Sequence, residues 1–122
     1  MCKATETLNK HWIMRGFRQF YAPVSLVLTY DKYLDSAAIT HFGLGSLAYG
    51  IVLAAWERGI GCVINGQGIM QSDVVREYAN IPDDQNIMIC IAMGYPADGF
   101  PANDVRSTRA DNSTFVSYLG FD

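Results

Sequence analysis

The chain has 122 residues, which suits one domain with a modest core, and half of them are hydrophobic. Its 12 acidic and 9 basic side chains give a net charge of −3, which argues against a nucleic-acid binder with a basic face. Its three scattered cysteines show no CxxC or Cys/His spacing, so we expect neither a disulfide framework nor a metal site in this single domain over residues 1–122.

The start of the chain lacks the basic, apolar and small-residue order of a signal peptide. The longest weakly charged apolar stretch, residues 42–56, is shorter than the roughly 20 residues that cross a bilayer. These features predict a cytoplasmic protein that does not associate with membranes.

The first predicted elements are a helix over residues 5–15 and a strand over residues 23–30, which is almost continuously apolar and rich in Val and Leu. After a polar turn, residues 37–58 predict a long helix that ends at Gly59. Its apolar side chains recur three and four apart, as expected for a packed helix. They are Leu44, Leu47, Ala48, Ile51, Val52 and Ala55.

A short strand over residues 62–64 follows. Ser72 is predicted to N-cap a helix over residues 73–79, with Asp73 favourable at the positive end of the helix. Residues 86–94 predict a second apolar strand, and the tail after it is expected to be irregular.

Three patterns carry weaker functional signals. Residues 43–48 nearly match a dinucleotide fingerprint, but no strand leads into the glycines and no suitable acid follows. His41 and Cys62 contain the groups of an activated thiol, although packing roles are favoured because no orienting third group is evident. Asp83 and Asp84 could form a metal-binding pair, but they follow a proline at a helix end, where exposed acids are ordinary, so a structural role is favoured.

Arg106 and Arg109 lie three residues apart in the tail. Two guanidinium groups suit a phosphate, because each offers a planar fork of donors. Taken alone, such a pair is more often solvated.

Six segments of the chain, in this order and spacing, resemble the C-terminal part of a nitroreductase, a family of FMN-dependent oxidoreductases. The resemblance covers roughly residues 18–121, and the N-terminal half of the family is expected to be missing. The segments are residues 22–28 (APVSLVL), 59–66 (GIGCVING), 72–77 (SDVVRE), 81–84 (IPDD), 89–96 (ICIAMGYP) and 103–109 (NDVRSTR).

The resemblance implies an α+β fold in which helices flank an antiparallel sheet and a long central helix forms a homodimer. It also implies FMN as cofactor and NAD(P)H-dependent reduction of nitroaromatic or quinone-like acceptors, with no catalytic side chain required, since the flavin carries the chemistry. Segment 63–66 would lie against the isoalloxazine ring, and Arg106 and Arg109 would hold the phosphate. The ring segment consists of Val63, Ile64, Asn65 and Gly66.

Two other functions stay open. One is a non-catalytic dimeric module that has lost the flavin, and the other is an incomplete subunit of a split flavoenzyme that a separate N-terminal chain completes.

Overall fold

A computed structural model describes residues 3–120 of the chain, with the side chains of residues 10–120. The helices and strands that the sequence predicts are confirmed within a few residues, and short 3₁₀ turns join them. They are α1 (Lys3–Phe17), β1 (Val24–Asp31), α2 (Ala38–Trp56), β2 (Gly61–Asn65), α3 (Ser72–Ala79) and β3 (Gln85–Gly94).

The three strands form one antiparallel sheet in the order β1-β3-β2. Ile91 of the central strand faces Leu26 on one side and Ile64 on the other. It is fully buried, and Cys90 beside it is 1% exposed. The outer edges of β1 and β2 have no strand partner within the described part of the chain.

The turn after α2 delivers the chain into β2. Gly59 has a φ of 72°, its N–H donates to the carbonyl of Trp56, and the N–H of Ile60 donates to the carbonyl of Ala55. This pair of bonds is the Schellman arrangement, which requires a left-handed residue at the position of Gly59. The predicted helix end is therefore confirmed.

Only one face of α2 packs on the sheet. Ala48 and Ala55 are buried there, whereas Leu47, which the sequence placed on the packed face, is 52% exposed. Another side of the helix presents large apolar side chains to solvent, which we call the open face of α2. Its members are Ile39, Phe42, Tyr49, Leu53 and Trp56.

The 19 residues of α2 are long and apolar enough to cross a membrane by length and composition alone. The length argument from residues 42–56 is therefore wrong, because the helix begins four residues earlier, at Ala38. Core helices of soluble proteins meet the same criterion but are mostly buried, whereas 11% of this helix is buried within the chain; one such helix is weak evidence for a membrane span.

The predicted cap of α3 is also wrong. Ser72 is the first residue of the helix rather than its cap, and Gln71 occupies the capping position without a side-chain hydrogen bond. The other end of α3 is held by Arg76, whose guanidinium donates to the carbonyls of Pro82 and Gln85. These bonds attach α3 to the start of β3.

The chain exposes an unusually large surface. Its accessible area is 9754 Å², whereas a compact monomer of 13.5 kDa exposes roughly 6,500 Å². The open face of α2 contributes five large apolar side chains to this surface.

Candidate functional site

The predicted ring segment, residues 63–66, lies at the end of an edge strand. Val63 and Ile64 are 44% and 50% exposed, and the outer edge of β2 is unpaired in the described structure. A Cβ atom added to Gly66 would meet only Ile89 Cδ1, at 4.0 Å. The space beside the Gly66 backbone is therefore open.

Asn65 differs from its neighbours, because it is only 5% exposed and its side chain points into the protein. Its Nδ2 donates to the carbonyl of Gly16 at 2.7 Å and to Gln19 Oε1 at 3.1 Å. Its Oδ1 accepts from the backbone N–H of Gln67 at 3.1 Å. Both ends of the amide are thus engaged within the protein, where they fix the backbone of the ring segment.

Cys90 completes this set of contacts from the centre of the sheet. Its thiol lies 3.0 Å from the carbonyl of Asn65 and 3.2 Å from Gln19 Oε1, within donor distance of both. Burial raises the pKa of the Cys90 thiol, and the hydrogen bond to Gln19 opposes that rise. The thiol is therefore kept as a neutral donor.

Gln19 belongs to a backbone segment that the sequence does not predict. Gln19, Phe20 and Tyr21 have φ values of 53°, 54° and 60°. The left-handed region costs an L-residue roughly 1–2 kcal/mol, so three such residues in a row are expensive. We call residues 19–21 the left-handed turn; none of its residues is Gly, Asn or Asp, the types that signal this conformation.

Close glycine contacts lock the end of α1 against the turn that follows the ring segment. A Cβ atom on Gly68 would overlap Gln19 Nε2 and Cys90 Sγ, and a Cβ atom on Gly16 would overlap Gln67 Oε1. A larger residue at either position must displace these side chains: at Gly16 only the flexible end of Gln67 has to move, whereas at Gly68 the buried Cys90 thiol is overlapped as well.

A cavity of about 890 Å³ lies beside the start of β2. This volume is within the range of small-molecule sites. The Arg15 guanidinium carbon is 5.4 Å from the centre of the Trp12 ring and 5.1 Å from that of Phe100. Val63 is the one residue of the predicted site that contributes to the described lining, which also includes Phe20, Tyr21, Tyr49 and Trp56.

Arg106 and Arg109 lie in the irregular tail and are exposed. Arg109 donates to Ser107 Oγ and to the carbonyl of Thr108. No described hydrogen bond joins either arginine to the ring segment, so the contacts within one chain do not bring the two predicted halves of the site together. Their role toward a phosphate stays a prediction.

Comparisons with known proteins bear on the family and the fold of the chain. The model of the nitroreductase family matches residues 4–95, which includes α1, although the resemblance was expected to begin near residue 18. The chain is 29% identical over 118 residues to a chloronitrobenzene nitroreductase from Comamonas testosteroni. It is 30% identical over 113 residues to a nitrobenzene nitroreductase from Ectopseudomonas oleovorans.

These alignments cover 97% and 93% of the chain but 51% and 49% of the relatives, so the chain spans about half the length of the curated relatives it matches. A crystal structure of an FMN- and NADPH-dependent nitroreductase from Sphigopyxis sp. strain HMH superposes with a TM-score of 0.85 at 20% identity. The superposition covers 99% of this chain and 53% of the chain in that crystal structure. That likeness confirms the predicted α+β fold. The match of the family model over residues 4–95 shows that the chain belongs to the nitroreductase family.

Proposed function

We propose that the chain binds FMN and takes part in the NAD(P)H-dependent reduction of nitroaromatic or quinone-like acceptors. The observation that carries this proposal is the match to the family model over residues 4–95. Two relatives named for the reduction of nitrobenzenes support the acceptor class.

The residues at the end of β2 fit a flavin. The ring segment offers an exposed, unpaired strand edge, and Gly66 leaves open space beside it. FMN, when bound, supplies the hydride chemistry, so the protein must bind, orient and shield it. In this proposal, backbone groups of residues 63–66 orient the ring, and Arg106 and Arg109 bind the phosphate through charge-assisted hydrogen bonds.

We also propose that the chain assembles as a homodimer through the open face of α2. Each chain exposes roughly 3,000 Å² beyond a compact monomer, so two chains together have roughly 6,000 Å² of excess surface. That is enough for an obligate interface, which buries about 2,000–5,000 Å² or more in total over both subunits. A Cβ atom on Gly43 or on Gly50 would meet nothing within 4 Å, so a second backbone has room to approach there.

The free thiols Cys62 and Cys90 suit the cytoplasm, where we place the protein.

The visible absorption spectrum of the purified protein, before and after addition of FMN, tests the proposal. We expect a bound-flavin spectrum that bleaches with NADH or NADPH without oxygen and recovers when nitrobenzene is added. A folded dimer that takes up no FMN would contradict the proposal and favour the non-catalytic module. Uptake only after addition of the N-terminal half of the Comamonas relative would favour the incomplete subunit.

A further inference from the structure

We propose that Gln19 is a positioning residue for the flavin-facing ring segment, an inference that rests on the proposed function. The side-chain oxygen of Gln19 makes the contacts on which this inference depends. Gln19 Oε1 accepts from Asn65 Nδ2 at 3.1 Å and from the Cys90 thiol at 3.2 Å. Asn65 is the buried member of the ring segment, so this oxygen fixes the strand end against which the ring would lie.

The left-handed turn explains how Gln19 reaches this position. Its backbone bonds, from Tyr21 N–H to the carbonyl of Arg18 and from Ala22 N–H to the carbonyl of Gln19, close the turn at 2.9 Å each. The turn separates its side chains: Gln19 points to Asn65 and Cys90, whereas Phe20 and Tyr21 line the cavity. An unfavourable backbone is therefore retained where one side chain must reach the ring segment and two must face the cavity.

Close glycine packing and hydrogen-bonded groups surround the side-chain amide of Gln19. A Cβ atom on Gly68 would overlap Gln19 Nε2 and Cys90 Sγ, so glycine at this position allows the Gln19 amide to pack directly on the turn that follows the ring segment. Asn65 Oδ1 is already used by the N–H of Gln67, and the thiol of Cys90 also lies near the carbonyl of Asn65. If the Gln19 oxygen were removed, Asn65 would keep the Gly16 bond and lose one restraint on the ring segment.

The experiment compares FMN and riboflavin binding by the full chain and its variants, using flavin fluorescence. Gln19→Met keeps the length of the side chain and removes the acceptor. We expect it to raise the dissociation constants of both flavins by the same factor, about three- to tenfold, as for the loss of one neutral hydrogen bond. The midpoint potential of the bound flavin should also shift, because the backbone facing the ring is no longer fixed.

Two further variants separate positioning from folding. Gln19→Glu keeps an acceptor oxygen at the same reach and should restore the parent affinity for both flavins. Gln19→Asn tolerates the left-handed backbone but is too short to reach Asn65, so it should behave like Gln19→Met. The matched control is Gln71→Met, at an exposed glutamine with no side-chain cap bond, which should leave every measurement unchanged.

The outcomes distinguish this inference from the function on which it rests. A parent chain that binds neither flavin overturns both. A parent that binds flavin, with Gln19→Met equal to it in affinity and potential, overturns the inference alone. If Gln19→Met and Gln19→Asn lose their circular dichroism while Gln19→Glu stays folded, Gln19 acts only on the fold, which also overturns the inference.

Discussion

The side-chain amide of Asn65 donates to Gln19 Oε1 across 3.1 Å, although the two residues lie 46 positions apart. This bond joins the end of β2 to the left-handed turn between α1 and β1. The segment between α1 and β1 therefore contributes directly to the geometry of the predicted ring segment.

The first prediction concerns the tail. Arg109→Ala should raise the dissociation constant of FMN by about tenfold or more, because a charge-assisted bond to phosphate contributes roughly 1.5–3 kcal/mol. Riboflavin, which has no phosphate, should lose much less. Fluorescence titration of both flavins checks this, with Arg58→Ala as a control that removes the same charge outside the proposed site. An equal loss for both ligands would indicate misfolding, and no loss would leave the tail arginines in solvent.

The second prediction concerns the open face of α2. Leu53→Asp should convert the dimer to a monomer, because an unpaired carboxylate at an interface core costs several kcal/mol. Light scattering after size-exclusion chromatography gives the mass of each species. Tyr33→Asp, at a residue that is 79% exposed outside α2, is the control and should stay dimeric. A Leu53→Asp protein that remains a dimer would exclude this face as the interface.

A related prediction concerns two neighbouring positions on one side of α2, which should respond differently to the same charge. Ile51 is partly buried, whereas Leu47 is 52% exposed. Ile51→Asp should therefore lower the free energy of unfolding by several kcal/mol, and Leu47→Asp should lower it much less. Urea denaturation followed by circular dichroism measures both values. Equal destabilisation would show that Leu47 is buried in the assembled protein.

The third prediction concerns the glycine packing beside Gln19. Gly68→Ala should destabilise the fold by about 1–3 kcal/mol, since the new methyl group overlaps Gln19 Nε2 and Cys90 Sγ. The double variant with Gln19→Ala should lose less than the sum of the two single losses, because one of the overlapping groups is gone. Urea denaturation of the three variants measures this coupling. Strict additivity would mean that Gly68 and Gln19 do not touch.

The fourth prediction concerns pH. Burial raises the pKa of Cys90 above its ordinary value of 9.0. Above that pH the unfolded thiol loses its proton while the folded thiol keeps it, so the folded state binds more protons and stability falls as pH rises. Below pH 9 this contribution is fully present. Thermal unfolding between pH 7 and about pH 10 should therefore show a steeper alkaline loss in the parent than in Cys90→Ser. Parallel curves would contradict the raised pKa.

The sequence by itself determined the helices, the strands and the family. Continuous runs of Val, Leu and Ile predicted β1 and β3, and apolar spacing of three and four predicted α2, because these patterns reflect backbone geometry among near neighbours. Gly59 marked the end of α2 correctly, since only a left-handed residue closes that turn. The cap assigned to Ser72 failed, because the chain enters α3 one residue earlier without a side-chain bond.

Only the tertiary structure decided which face of α2 is packed and what holds the ring segment. An apolar helix offers similar side chains in every direction, so periodicity placed Leu47 inside although it is half exposed. The left-handed turn has no glycine or asparagine to announce it, and the Gln19 bonds to Asn65 and Cys90 span 46 and 71 positions. Local propensity cannot report such contacts, because they form only when distant segments meet across the sheet and stabilise a backbone that its own residues disfavour.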